Sequence, residues 1–200
     1  MLTSGGPFPT LELALDEPNT RKSLALHVCC GPDATSAIER LVYQYDVVPF
    51  FYNPNIYPEK EYLKRLEESR KACGRWDLIL TAGAYETEVW SQKTTGLEEE
   101  PEGGKRCRVC YAVRLEKTAL FARENGCDFF STVLTVSPHK DSRLIIALGR
   151  EVGVRTGVEF LCENFKKKDG FKRSIELSKE MNLYRQNYCG CIHSMKEGVT

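Results

Sequence analysis

The sequence predicts an α/β domain built on a mainly parallel sheet with helices on both faces. Three observations predict it. Short apolar runs alternate with segments of helical period along most of the chain. Gly, Pro and Asn punctuate the junctions. The chain has 200 residues, 42% hydrophobic and 28% charged, which suits one domain with a real core.

The elements follow in order. "SLALHV" is a first strand, and "DATSAIERLVYQY" a helix that Asp33 or Thr35 is placed to cap. "DVVPFFYN" is the next strand, ending in the turn "NPNIYP", and "EKEYLKRLEESRKACG" is an amphipathic helix closed by Gly74. The strand "DLILTAG" and a polar stretch precede "CRVCYAVRLEKTALFARENG", a helix opening at a cysteine pair and stopped by Gly126. "DFFSTVLTV" is a strand running into "SPHKD". "SRLIIALGREVG" is a helix, "VEFLC" a strand and "SIELSKEMN" a last helix. Residues 1–22 are expected to form a flexible N-terminal extension, and residues 23–200 a single α/β metal-binding catalytic domain.

No run of about eighteen apolar residues exists to cross a membrane, and the N-terminal stretch lacks the basic start and apolar centre of a signal peptide. A cytoplasmic protein without a membrane partner is therefore expected. Formal net charge is zero, so any nucleic-acid contact must be a local patch.

Cysteine usage is the strongest signal: nine thiols, an odd number. In a reducing compartment, clustered thiols are metal ligands or redox groups rather than structural bridges. Six form close pairs, Cys29 with Cys30, Cys107 with Cys110, and Cys189 with Cys191. Cys73, Cys127 and Cys162 stand alone and are expected to be small buried hydrophobes. Four thiolates suit zinc or an iron-sulfur cluster. Only one C-x-x-C is present, and six sulfurs exceed one tetrahedral site. An iron-sulfur centre, zinc and a thiol relay all remain open on these grounds.

In open α/β sheets ligands bind beyond the carboxyl ends of the strands. The loops carrying Cys29 and Cys30, the "FYNPNI" turn and "TVSPHKD" should therefore share one crevice. A helix N-terminus at Cys107 favours thiolate, and Gly190 lets Cys189 and Cys191 face one way. Asp33 adds a hard oxygen beside the first pair. His139 is a loop histidine, His27 a core residue inside a strand, and His193 a group able to hydrogen-bond a thiolate. Glu61 and Arg65 are one helical turn apart, as a surface pair or a crevice contact. Asn53 and Asn55 shape the turn or face the substrate. Lys166, Lys167, Lys168, Lys172 and Arg173 form a basic run able to neutralise phosphates, with Phe171 placed to stack on a base. The acidic run "LEEEPEGG" is expected to be a mobile loop away from RNA.

"HVCCGPD", "FYNPNIYPEKEYLKR", "RCRVCYAVRL", "TVLTVSPHKD" and "LYRQNYCGCIHS", in that order, resemble the epoxyqueuosine reductase family of the cobalamin-independent QueH type, from about Leu24 to Met195. The resemblance implies a Rossmann-like sheet related to nucleotide-binding ATP pyrophosphatases. It also implies reduction of epoxyqueuosine in tRNA to queuosine, with a 4Fe-4S cluster, an additional mononuclear iron and an external electron donor. In the family pattern the residue after Pro32 is often a third cysteine; here it is Asp33. The cluster is assigned to Cys29, Cys30, Cys107 and Cys110, whose loops are neighbours on a fixed frame. The further iron is assigned to Cys189, Cys191 and Asp33, although the adjacency of Cys29 and Cys30 leaves one of them available to it. Forming an alkene from an epoxide takes two electrons and two protons, and Asp33 or His139 is expected to supply a proton. Rival classes are a zinc-stabilised RNA-binding module and a thiol-disulfide oxidoreductase.

Overall fold

The computed structural model describes residues 21–195. Five strands form one sheet in the order β3-β2-β1-β4-β5, with every neighbouring pair parallel. They are β1 (Ser23–His27), β2 (Asp46–Phe51), β3 (Thr81–Ala82), β4 (Phe129–Thr132) and β5 (Glu159–Phe160). Six α-helices connect or follow them: α1 (Gly31–Leu41), α2 (Glu59–Gly74), α3 (Thr87–Thr94), α4 (Lys105–Glu124), α5 (Ser142–Thr156) and α6 (Gly170–Glu180).

Alternation along β2 shows both faces covered. Phe51 meets Tyr62 of α2 edge-on at 5.4 Å, while Phe50 stacks on Phe121 of α4 at 4.2 Å and Tyr52 packs with Val113. Successive strand residues point to opposite sides, so α2 and α4 lie on opposite faces. The central strand β1 is buried from Leu24 to His27, as a strand covered twice must be.

Several boundaries differ from expectation. Cys30, extended at φ −167°, precedes α1, and Gly31 and Pro32 open the helix. Proline suits this position because its missing N–H would have no partner there. Asp33 therefore lies in the first turn without capping it, and Thr35 donates to the Pro32 carbonyl at 2.9 Å. Helix α4 starts at Lys105, two residues before its first cysteine. Beyond Thr132 the expected strand becomes a 3-10 turn, Val133–Val136. The edge strands β3 and β5 keep two residues each, because each has one neighbour to pair with.

Of the expected N-terminal extension, residues 1–20 lie outside the described residues. Arg21 is tied down, pairing with Asp46 at 2.9 Å and donating to the Val42 carbonyl at 2.8 Å. Among the described residues no helix is long and apolar enough to cross a membrane.

Candidate metal centre and substrate groove

Strand order reverses at β1, which pairs with β2 on one side and β4 on the other. The loops after β1 and β4 diverge there and open a crevice. Cys29 and Cys30 leave β1, Ser137–Lys140 follow β4, the Asn53–Ile56 turn follows β2, and the α4 N-terminus and residues 184–195 close around them.

Two thiols and a carboxylate converge at the end of β1. Cys29, Cys30 and Asp33 are all buried, and their ligand atoms lie within 4.8 Å of one another. Cys29 Sγ stands 3.9 Å from Cys30 Sγ and 3.8 Å from Asp33 Oδ2. Ligands on a tetrahedral metal with bonds of about 2.3 Å stand roughly this far apart. A hydrogen bond from Cys29 to Cys30, together with burial, raises the Cys29 pKa, and the same bond lowers that of Cys30. Cys30 is the readier thiolate.

A further pair lies at the start of α4. Cys107 and Cys110, spaced i and i+3, share one helix face. Thiolates at Cys189 and Cys191 would raise the pKa of both, and Cys110 and Cys191 pack together against Trp90. Burial pushes the Cys110 thiol up to about 11 and raises Cys107 as well, while the Gly103 amide donates to Cys107 Sγ at 3.2 Å and favours its thiolate. Trp90 Nε1 is buried beside Cys110 with no oxygen or nitrogen partner. Both amide atoms of Asn55 are also buried and unpartnered.

Asp33 goes with Cys29 and Cys30, since helix α1 carries it back one turn onto their sulfurs. Cys191 packs on Cys110, and Cys189 lines a small cavity together with Cys29.

Arg65 explains where the last pair sits. It is 2% exposed, a crevice residue rather than half of a surface pair. Its Nε donates to Glu61 at 2.7 Å, its Nη1 to the Cys189 carbonyl at 3.0 Å and its Nη2 to the Tyr188 carbonyl at 3.3 Å. Glu61 also accepts from the Tyr184 hydroxyl at 3.2 Å. Glu61 and Arg65 thus hold the C-terminal cysteines in place. Asn53, fully buried, serves the frame too: its Nδ2 donates to the Val28 carbonyl at 2.9 Å and its Oδ1 accepts from Arg114 at 3.2 Å.

A groove of about 640 Å³ reaches this centre from outside, and Asp33, His139, Lys140, Phe171, Arg185 and Cys189 are among its walls. His139 is exposed within it. Lys140, unremarked in the sequence, lines both the groove and a cavity of about 30 Å³ that Cys29, Arg114 and Cys189 share. Burial works against the Lys140 ammonium, but the sulfurs of Cys189 and Cys29 and the Asp33 carboxylate raise its pKa above the usual lysine value. Its signal in the sequence is its place next to His139 in the strand-end loop.

Other expected residues are placed as follows. His27 is fully buried between Thr132 Oγ1 at 2.9 Å and the Tyr52 carbonyl at 3.1 Å, and burial with the charge of Arg114 lowers its pKa to about 3. It is the neutral core residue expected. His193 is exposed, its ring 6.1 Å from that of Trp90 rather than against a thiolate. Lys167, Lys168 and Lys172 are exposed, whereas Lys166 donates to the Lys140 carbonyl at 2.7 Å and Arg173 is held by Glu39, Glu176 and Glu180. Phe171 lies under the Arg185 guanidinium at 5.6 Å. Cys73 and Cys127 are buried, but Cys162 is exposed, because it follows the short edge strand β5. The acidic run is anchored rather than loose: buried Arg106 donates to the carbonyls of Leu97, Glu98 and Glu100, and Glu102 reaches the groove.

Comparison with known proteins gives this arrangement a family. The model of "Epoxyqueuosine reductase QueH" matches residues 24–197. The chain belongs to the epoxyqueuosine reductase QueH family. Epoxyqueuosine reductase QueH of Streptococcus pyogenes serotype M1 is 40% identical over 188 residues, covering 90% of this chain and 73% of that protein. The QueH of Thermotoga maritima is 39% identical over 178 residues, covering 88% and 91%. Among solved structures, the U34-tRNA thiolase NcsA from Methanococcus maripaludis with its [4Fe-4S] cluster is similar at a TM-score of 0.53 and 12% identity. That likeness covers 90% of this QueH-family chain and 62% of the thiolase chain, and concerns the fold alone. It agrees with the expected parallel α/β fold.

Proposed function

We propose that the chain reduces epoxyqueuosine in tRNA to queuosine, using a 4Fe-4S cluster on Cys107, Cys110, Cys189 and Cys191 and a further iron on Cys29, Cys30 and Asp33. The observation that carries this reading is the buried Cys29, Cys30 and Asp33 triad, with Cys189 beside Cys29 in the adjoining cavity and Cys110 packed on Cys191.

The residues fit these groups. Cys107 and Cys110 at the α4 N-terminus, Cys191 packed on Cys110 and Cys189 two residues before it would give four cluster corners, and Trp90 Nε1 beside Cys110 has no oxygen or nitrogen to satisfy it. Two sulfurs and an oxygen at 3.8–3.9 Å spacing suit one metal with a coordination position left for substrate. When bound, such centres supply electrons singly and a Lewis acid.

The chain's own groups do the rest. Lys140 Nζ, at the junction of groove and cavity, holds a proton and a positive charge where an opening epoxide oxygen would gather negative charge. His139, exposed in the same groove, can relay a second proton from solvent. Phe171 and Tyr188 give the groove flat surfaces for a base. Two electrons from an external donor and two protons remove the oxygen as water. The exposed Lys167, Lys168 and Lys172 would meet tRNA phosphates outside the groove.

Anaerobic purification with metal analysis tests the reading. A brown protein with about five iron and four sulfide per chain, one cubane plus one iron, is expected. A colourless protein holding zinc and no sulfide would return the chain to the zinc-module class.

A further inference from the structure

The cysteine groups are faced by a buried cation that has no carboxylate partner. Arg114 lies one turn beyond Cys110 on α4 and is 2% exposed. Among the described residues no ion pair includes it. Its Nε donates to the Cys110 carbonyl at 3.4 Å and its Nη1 to Asn53 Oδ1 at 3.2 Å, while Nη2 is buried with no partner. The cavity of about 30 Å³ beside it is lined by Cys29 and Cys189, one sulfur from each group.

A guanidinium cannot shed its proton in a protein. Burying it without a counter-charge costs several kcal/mol, so buried cations are found with anions. The anions on offer are the sulfurs, as thiolates once they hold metal. Burial disfavours the Arg114 cation, and thiolates at Cys110, Cys189 and Cys29, in that order, favour it. Asn53 fixes the fork through its own bond to the Val28 carbonyl, so Arg114 is braced against the end of β1 as well as its own helix.

We propose that Arg114 is a positioning residue whose permanent positive charge, set between the two sulfur groups, raises the reduction potential of the cluster. The inference rests on the cluster reading above. One-electron reduction makes a thiolate-bound cluster more negative, and a fixed cation in a low-dielectric site stabilises the reduced form over the oxidised one. A neutral side chain of similar size removes that preference.

The test uses the full chain, reconstituted anaerobically, with Arg114→Met and Arg114→Lys. Iron and sulfide are counted, and the potential is followed by electron paramagnetic resonance during titration with a dithionite-class reductant. Arg114→Met is expected to hold wild-type iron and sulfide at a more negative potential, with Arg114→Lys close to wild type. An unchanged potential in Arg114→Met with its cluster intact overturns the inference, as does a lysine variant shifted as far as the methionine one, which would mark a purely structural role. If Arg114→Met takes up no cluster, the lysine variant decides. Wild-type potential there supports the charge role, and a lysine variant equally empty overturns it. A wild-type chain without sulfide strikes the cluster reading itself, a result distinguishable from all of these.

Discussion

Arg65 Nη1 donates to the carbonyl oxygen of Cys189 at 3.0 Å, joining the middle of α2 to a segment 124 residues further along the chain. Gly190 follows at φ +114°, its carbonyl accepting from the Tyr57 amide at 2.8 Å. A Cβ there would stand 2.8 Å from Arg65 Nη1, so glycine and arginine fit each other. Arg65→Ala strands the half-buried Glu61 and two carbonyls. It should cost roughly 3 kcal/mol, as breaking a buried pair does. Hydrogen exchange should show residues 188–194 loosened, with α5 unchanged.

The two sulfur groups separate by composition. Cys110→Ser should remove sulfide and most of the iron, because it takes one corner from the cluster. Asp33→Ala should keep the sulfide and the cluster's absorption and lose about one iron per chain. Cys30→Ser should behave like Asp33→Ala. If Cys30→Ser loses the sulfide instead, the first pair belongs to the cluster.

The basic run divides in two by what its side chains already touch. Neutralising Lys167, Lys168 and Lys172 should weaken tRNA binding and reduce the slope of log affinity against log salt by about 0.7 to 0.9 for each phosphate no longer neutralised. Arg173→Ala should leave that slope alone. Its guanidinium sits on Glu39 at 2.8 Å, linking α6 to α1, so the loss shows as stability, about 0.5–1 kcal/mol for a partly exposed pair.

Alkylation of unfolded and native protein should rank the lone thiols. Burial pushes Cys73 up to about 12, so its reactive thiolate stays scarce throughout neutral and mildly alkaline solution. Cys162 is exposed and should be labelled first with iodoacetamide at about pH 8, near the ordinary thiol pKa. Labelling of native Cys73 as fast as Cys162 would contradict its burial.

Legibility follows the physics of each element. Helix α2 is expected at Glu59–Gly74 and lies there, because a long amphipathic run follows a proline-bounded turn. Helix α3 leaves no such trace: Trp90 and Thr94 are its buried residues, too few to make a period. The convergence of loops beyond the strand ends can be read from the alternation of strand and helix. The placement of Cys189 and Cys191 cannot, since that pair lies in a segment without strand or α-helix, held by Arg65 through carbonyls that leave no mark in a side-chain pattern. Arg114 and Lys140 are silent for a related reason. A basic residue inside a helix or loop looks like solvated surface until the sheet buries it.

The central claim is that this centre deoxygenates an epoxide carried on tRNA. Anaerobic, iron-loaded protein should be incubated with tRNA bearing epoxyqueuosine and a low-potential reductant, and the tRNA digested and its nucleosides weighed by mass spectrometry. The account predicts conversion to a nucleoside lighter by one oxygen, queuosine, dependent on the reductant and absent in Asp33→Ala. Epoxyqueuosine recovered unchanged from protein that holds its full iron and sulfide would contradict it.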